Sequence, residues 1–348
     1  MVGVGVIGYG YWGPNLVRNF MEAPGCQVVA VSDLRAEQRA RVSARYPTVN
    51  AYSDCADLID DPAVDLVIVA TPVSTHFDLA LRALRAGKHV LVEKPMTSTT
   101  EEGLILIEEA ARRGLMLAVD HTFVYTGSVR RIREMVTSGE LGDIYYYDSV
   151  RVNLGLFQRD VNVIWDLAVH DVSILDYVLG ETPIAINATG MGHVAGEPEN
   201  IAYMTLTFAR NLIGHIHVNW LAPVKVRRTL IGGSQKMVVY DDIEPSEKVK
   251  VYDKGITVNG AGAGANGGAA VYRMLVGYRT GDMWAPQLDM TEALAVEARH
   301  LVSCIETGQT PIADGHAGLR VVRTLEAATR SIRERGRVID LEISKCIA

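Results

Sequence analysis

Between Val2 and about Val119, short apolar runs alternate with segments whose apolar residues recur every three or four positions. The runs Val2–Ile7, Gln27–Ser32, Asp65–Ala70, His89–Val92 and Met116–Val119 are β-branched and nearly continuous in hydrophobicity. Strands buried on both faces read this way. Phe77, Ala80, Leu81 and Leu84 recur at helical spacing between them, as do Leu104, Ile107 and Ala111. Strand then helix, repeated over short Gly- or Pro-marked connections, predicts an α/β domain: a parallel sheet with helices on both faces.

After His121 the pattern changes. Val129, Ile132, Met135 and Val136 predict one more helix, ending near Gly139. Longer, more polar strands follow at Ile144–Val152, Ile184–Met191, Ile201–Phe208, Leu212–Trp220, Val224–Ile231 and Lys236–Asp241. Strands in succession without helices between them predict a large, mostly antiparallel open sheet, hence an α+β domain. A helical pattern from Trp165 to Leu179 interrupts them. Two more close the chain, through Leu294, Ala298, Leu301 and Ile305, and through Leu319, Val322, Leu325 and Ile332. The expected division is residues 1–122 and 123–348. Six strands with Val and Ile on alternate positions leave one face partly apolar, so face-to-face packing in a homodimer or homotetramer is expected.

Composition narrows the partners. The 348 residues are enough for two domains with separate cores. A net charge of −7 argues against nucleic acid or an anionic membrane as the main partner. No apolar run approaches the ~20 residues of a membrane span. The chain opens on a strand rather than a charged leader, so no signal peptide is expected. Cys26, Cys55, Cys304 and Cys346 are scattered without a C-x-x-C pair, which points to reduced thiols in a cytoplasm and to no metal site. Cys346 is one place short of a prenylation signal and reads as tail. Gly260–Gly268 is glycine- and alanine-rich, lacks the strand-before, helix-after context of a phosphate cradle, and reads as a mobile loop.

Candidate chemistry begins at Gly8-Tyr9-Gly10-Tyr11-Trp12-Gly13, which follows the first strand and opens a helix through Leu16, Val17 and Phe20. Such glycines permit a tight turn, close approach of backbone to pyrophosphate, and close helix–strand packing. Asp33 ends the second strand twenty positions after Gly13, where a carboxylate accepts from the adenosine ribose hydroxyls. It also repels a 2′-phosphate, which favours NAD over NADP; Arg35 is the residue that can offset this. Thr71-Pro72 ends the third strand and His76 starts the next helix. Gly8, Gly10, Tyr11, Trp12, Gly13, Asp33, Leu34, Thr71, Pro72, His76, Glu93 and Lys94 are the expected cofactor contacts. Asp120-His121-Thr122 ends the last strand of this half.

Glu93-Lys94-Pro95 stands at the carboxyl end of a strand, where open α/β sheets bind ligands. Proline fixes the local backbone and so restrains the lysine. Downstream, Trp165-Asp166-Leu167-Ala168-Val169-His170-Asp171 puts Asp166 and His170 four apart on one helix face. A carboxylate beside an imidazole suits acid–base work near neutral pH.

Taken together these residues resemble the Gfo/Idh/MocA oxidoreductases over nearly the whole chain. The resemblance rests on Gly8/Gly10/Gly13, Thr71-Pro72 with His76, Glu93-Lys94-Pro95, and the helix bearing Asp166 and His170. The stretch Leu301–Leu325, with Gly308, Pro311, Gly315 and Gly318, also looks like the family's carboxyl-terminal region. It implies that Lys94 and His170 are the catalytic pair with Asp166 accessory, that the Lys94–Pro95 peptide is cis, and that a secondary alcohol of a sugar or cyclitol is oxidised.

Arg151, Asn153, Gln158, Arg159 and Asn162 lead into the Asp/His helix and are expected to reach substrate, together with Lys94, Asp166 and His170. Within the family the pattern looks most like the nucleotide-sugar 3-dehydrogenases that act on UDP-N-acetylhexosamines or their uronates. Antibiotic-sugar 3-dehydrogenases and inositol dehydrogenases share the same residues. A regulator that binds dinucleotide and sugar without turnover is the alternative of another class.

Overall fold

The computed structural model describes residues 1–155, 161–258 and 276–341. Gln158, Arg159, the Gly260–Gly268 run and Cys346 lie outside these residues. The described part of the chain divides into two compact units.

The first unit comprises residues 1–127, 172–176 and 290–326. Its sheet holds β1 (Val2–Ile7), β2 (Cys26–Ser32), β3 (Asn50–Tyr52), β4 (Leu66–Val69), β5 (His89–Glu93) and β6 (Leu117–Asp120). The order is β3-β2-β1-β4-β5-β6 and every pairing is parallel. Helices α1 (Gly13–Glu22), α2 (Ala36–Arg45), α3 (Cys55–Asp60), α4 (His76–Arg85) and α5 (Thr100–Arg113) connect the strands. The ends of α5 are written in its sequence. Thr99 and Glu102 form a reciprocal capping box, and Gly114 closes the helix in the left-handed region at φ 64°.

The division differs from the expected cut after residue 122, because a late helix joins the first unit. Leu294, Ala298, Leu301 and Val302 of α8 (Ala293–Thr307) pack into one core with Leu16, Val17 and Phe20 of α1. Burying that apolar stripe outweighs the distance along the chain.

The second unit is built on a nine-stranded sheet. It contains β7 (Ile144–Leu154), β8 (Ala185–Met191), β9 (Ile201–Thr207), β10 (Ile213–Asn219), β11 (Leu221–Gly233), β12 (Met237–Asp241), β13 (Val249–Tyr252), β16 (Met283–Trp284) and β17 (Ile339–Asp340). Strands β14 (Gly255–Val258) and β15 (Val276–Arg279) pair separately. All pairings of the large sheet are antiparallel except β7 with β10. Helix α6 (Gly127–Thr137) precedes it, and a π-helical turn (Ile164–Ala168) runs into α7 (Val169–Leu179). The last helix, α9, covers Gly315–Arg333. On β9 and β10 Ala202, Met204, Leu206, Ile216 and Val218 are buried, whereas Tyr203 and Ile213 are 43% and 51% exposed. Among the described residues no helix is long and apolar enough to cross a membrane.

Candidate active site

The glycine-rich turn is shaped as its sequence requires. Gly8 takes φ +99°, and a Cβ there would lie 2.3 Å from Ala70 O. A Cβ on Gly13 would lie 2.2 Å from Gly8 O, so only glycine lets α1 start this close to β1. At Gly10 the nearest atom to such a Cβ is Arg35 Nη2 at 3.6 Å, which leaves its backbone face open. Tyr11 is 93% exposed and its ring lies near-parallel to Trp12, with centroids 6.4 Å apart.

Asp33 ends β2, only 8% exposed. Its Oδ2 accepts from Tyr9 N at 2.9 Å, and Arg35 spans both oxygens with Nε and Nη2 at 3.0 Å each. Burial alone would raise this carboxyl, but the hydrogen bonds from Arg35 and Tyr9 outweigh it and hold it below its ordinary range. Leu34 beside it is 89% exposed. An open backbone at Gly10, a helix start at Gly13 and an acidic strand end at Asp33 together fit a dinucleotide: pyrophosphate at the turn, ribose at the carboxylate.

Further along the carboxyl edge, Thr71 Oγ1 lies 2.7 Å from Thr75 Oγ1, and Pro72 is exposed. His76 departs from the expected cofactor contact. It is 1% exposed, with Nδ1 2.9 Å from Pro95 O and Nε2 2.9 Å from Thr71 O. The ring is a strut that ties the turn after β4 to the turn after β5. The Lys94–Pro95 peptide is cis. Lys94 is half-buried, and its backbone N–H donates to Glu93 Oε2 at 3.2 Å. Asp120 closes β6, buried, and accepts from the indole of Trp12 at 3.0 Å. Its neighbour His121 is 2% exposed; burial is the main cause that pulls its imidazole down to about 4, so it is neutral at pH 7.

In the second unit, the π-helical turn and the start of α7 carry Asp166, His170 and Asp171. Asn162 caps this segment: its Oδ1 accepts from Ile164 N at 3.1 Å and Trp165 N at 3.3 Å. It is 7% exposed and so serves the helix start rather than the open approach the sequence led us to expect. Asp166 Oδ2 accepts from Trp220 Nε1 at 3.0 Å. Asp171 is held from β7 by three residues at period two. Tyr147 donates to its carbonyl at 3.2 Å, Ser149 to Oδ1 at 2.6 Å and Arg151 to Oδ2 at 2.7 Å. Arg151 therefore differs from the expected substrate contact. It is 3% exposed and its charge is committed to Asp171. Asn153, two residues on, is half-buried.

Three contributors were not anticipated from sequence: Asp171 as an anchor, Trp220 as the donor to Asp166, and Glu297, a buried carboxyl of α8 beside Asp120. For Glu297 a signal existed, since it falls on the apolar stripe of Leu294, Ala298 and Leu301.

Known proteins share this architecture. Residues 2–121 match the oxidoreductase family model GFO_IDH_MocA, an NAD-binding Rossmann fold, and residues 129–239 match the GFO/IDH/MocA C-terminal domain. The UDP-N-acetylglucosamine 3-dehydrogenase of Acidithiobacillus ferrooxidans is 28% identical, over 91% of this chain and 93% of the relative. The scyllo-inositol 2-dehydrogenase (NADP(+)) IolW of Bacillus subtilis is 25% identical, over 97% and 96%. The solved structure of the A. ferrooxidans enzyme GnnA superimposes with a TM-score of 0.79 at 26% identity, covering 96% of this chain and 99% of that one. With the two-domain fold and the dinucleotide turn already in place, the chain belongs to the Gfo/Idh/MocA family and is an NAD-dependent oxidoreductase of sugar or polyol hydroxyls.

Proposed function

We propose that the protein reversibly oxidises C3 of a nucleotide-activated N-acetyl amino sugar or its uronate. The observation that carries this reading is the segment Asp166–Asp171, fixed at both ends by Trp220 and by the β7 ladder onto Asp171. The 28% identity to a UDP-N-acetylglucosamine 3-dehydrogenase supports it, and the inositol dehydrogenases among the relatives keep a cyclitol as the alternative substrate. NAD, when bound, supplies the hydride acceptor. Gly8, Gly10, Gly13 and Asp33 would hold it, with Tyr11, Trp12, Leu34, Thr71, Pro72 and Glu93 lining it. Lys94 donates hydrogen bonds to the reacting oxygen and stabilises developing alkoxide. His170 takes the hydroxyl proton, and Asp166 orients the substrate beside it.

The test is turnover of UDP-N-acetylglucosamine, its uronate, myo- and scyllo-inositol and aminoglycosides with NAD, with the new carbonyl located by NMR. Lys94→Ala and His170→Ala are each expected to lower kcat by about 10²–10⁴-fold while NAD binding persists. Near-normal turnover in either variant would remove that residue from the mechanism. Tight NAD binding with no reduced nicotinamide from any substrate would favour a dinucleotide-sensing regulator.

We also propose that the second unit's sheet pairs two copies through its Tyr203 face. There Tyr203 stacks on His217 with centroids 4.4 Å apart and Ile213 is exposed. Light scattering that finds only monomer would exclude this.

A further inference from the structure

Three carboxyl groups from three elements meet inside the first unit: Glu93 at the end of β5, Asp120 at the end of β6 and Glu297 in α8. Glu297 is 1% exposed, and neither of its oxygens meets a donor. Glu93 Oε1 is buried in the same condition. Asp120 stands between them: it is the register partner of Glu93 across β5 and β6, and its carboxyl faces those of both Glu93 and Glu297. Its oxygens also accept from Trp12 Nε1 and Thr122 Oγ1.

A buried carboxylate oxygen facing another carboxylate oxygen is strongly unfavourable unless a proton lies between them. The three groups are not arranged as metal ligands. Burial first, and then Asp120, raise both Glu93 and Glu297 well above the ordinary carboxylate range, while Lys94 draws Glu93 back down. The remaining titratable neighbours do not neutralise the cluster. His121, facing Lys94, Asp120 and Arg320, is held neutral chiefly by burial. Tyr125, facing Glu297, Asp120 and Cys304, is pushed up by burial and keeps its proton. His300 lies against the far side of Tyr125, with ring centroids 5.7 Å apart. Lys94 offsets part of the charge at Glu93, and protons on the carboxyls balance the rest.

The position of the cluster relates it to the cofactor turn. Trp12 belongs to the glycine-rich turn, and its indole reaches Asp120 directly. Glu93 immediately precedes Lys94. We propose that Glu93, Asp120 and Glu297 work as one proton-sharing cluster that gives up a proton to solvent when oxidised cofactor is held, and regains one during alcohol oxidation. The second half of this statement rests on the function proposed above.

The balance is simple. With a fixed positive charge brought to the sheet edge beside Lys94, the cluster carries one more negative charge and one fewer proton. In turnover the substrate carbon loses a hydride to the cofactor and its hydroxyl loses a proton. That proton, taken first by His170, is passed on to Lys94 as Lys94 gives one of its own to Glu93, and the vacancy is refilled. The single net proton of the reaction is thus released at cofactor binding. Glu297 and Asp120 act through Glu93 and are positioning residues.

The experiment needs no substrate. Protein in weakly buffered solution with an indicator dye is mixed with NAD+ and, separately, with NADH, and affinities are measured by calorimetry. About one proton should be released per NAD+ bound at pH 7, and far less per NADH. Glu297→Gln should cut that release several-fold while changing NAD+ affinity only a few-fold. The parent should also show an infrared band of protonated carboxyl at pH 7 that Glu297→Gln diminishes. Asp120→Asn gives the same reading should Glu297→Gln fail to fold. Undiminished release in both variants, or no protonated-carboxyl band in the parent, overturns the proposal. Failure to bind NAD+ would instead overturn the dinucleotide reading, and the infrared band would still decide the cluster.

Discussion

Arg151 Nε lies 2.7 Å from Asp171 Oδ2, with the two side chains 3% and 2% exposed. Burial alone would lower the affinity of Arg151 for its proton, but the charge of Asp171 more than offsets this and keeps the guanidinium ionised. Asp171 follows His170 directly, so the strand fixes the helix at the residue next to the proposed base.

Removing one partner of such a pair strands a buried charge. Arg151→Met is expected to destabilise the protein by about 3–5 kcal/mol, and Ser149→Ala by about 1–3 kcal/mol. Urea unfolding of the two variants against the parent measures both. A loss under about 1 kcal/mol for Arg151→Met, the range of a surface pair, would contradict the buried-pair reading.

Gly10 and Gly13 should separate binding from folding. Gly13→Ala forces a Cβ to within 2.2 Å of Gly8 O, so it should lower thermal stability and abolish NAD binding together. Gly10→Ala meets only Arg35 Nη2 at 3.6 Å and should keep the parental Tm. Its methyl group would still stand where pyrophosphate must approach, so NAD affinity should drop. Calorimetric titration beside a melting curve reads the pair.

The pairing of Asp33 with Arg35 makes the proposed basis of cofactor choice testable. Asp33→Ser should lower the ratio of NADP to NAD dissociation constants by about tenfold or more, a change of roughly 1.4 kcal/mol. The substitution removes a like charge facing the 2′-phosphate and frees Arg35 to meet it. An unchanged ratio in fluorescence titrations would show that discrimination lies elsewhere.

His121 makes stability depend on pH in a defined direction. The folded state keeps the ring neutral down to about 4, whereas the unfolded chain protonates near 6.5. Across that window the unfolded state binds more protons, so stability falls as pH falls, by about 3 kcal/mol in all. Glu93 and Glu297 act oppositely: raised in the fold, they cost stability as pH rises above the ordinary carboxylate value. The His121 contribution is therefore read as a difference. His121→Asn should lose less stability than the parent between pH 7 and pH 4.5 in urea titrations.

The central strands of the first unit were legible because they are buried on both faces and hence continuously apolar. Asn50-Ala51-Tyr52 carried no such signal, being three residues long and partly exposed at the sheet edge. Helix α2 hid for a related reason: Val42 is its one buried residue among charged neighbours. The motif residues at Gly8–Gly13, Asp33, Lys94 and His170 could be singled out as candidates because backbone shape or chemistry restricts their type. What faces what could not. Arg151 reads as a substrate fork in the sequence, and only the pleat, which turns residues 147, 149 and 151 to one side, brings it to Asp171. His76 was misjudged likewise, because two backbone carbonyls claim its ring.

The π-helical turn at Ile164–Ala168 carries one more residue than an α-helical turn would. The five residues of this turn carry the chain round about as far as four at α spacing would, so the extra residue is absorbed and a deletion inside the turn should leave His170 and Asp171 facing as they do. An insertion beyond the turn, between Ala168 and His170, would instead swing everything after it by about 100°. Asp171 would leave the β7 ladder and His170 would turn with it, although no side chain of either had been altered, so residue number after the turn is under as much constraint as residue identity.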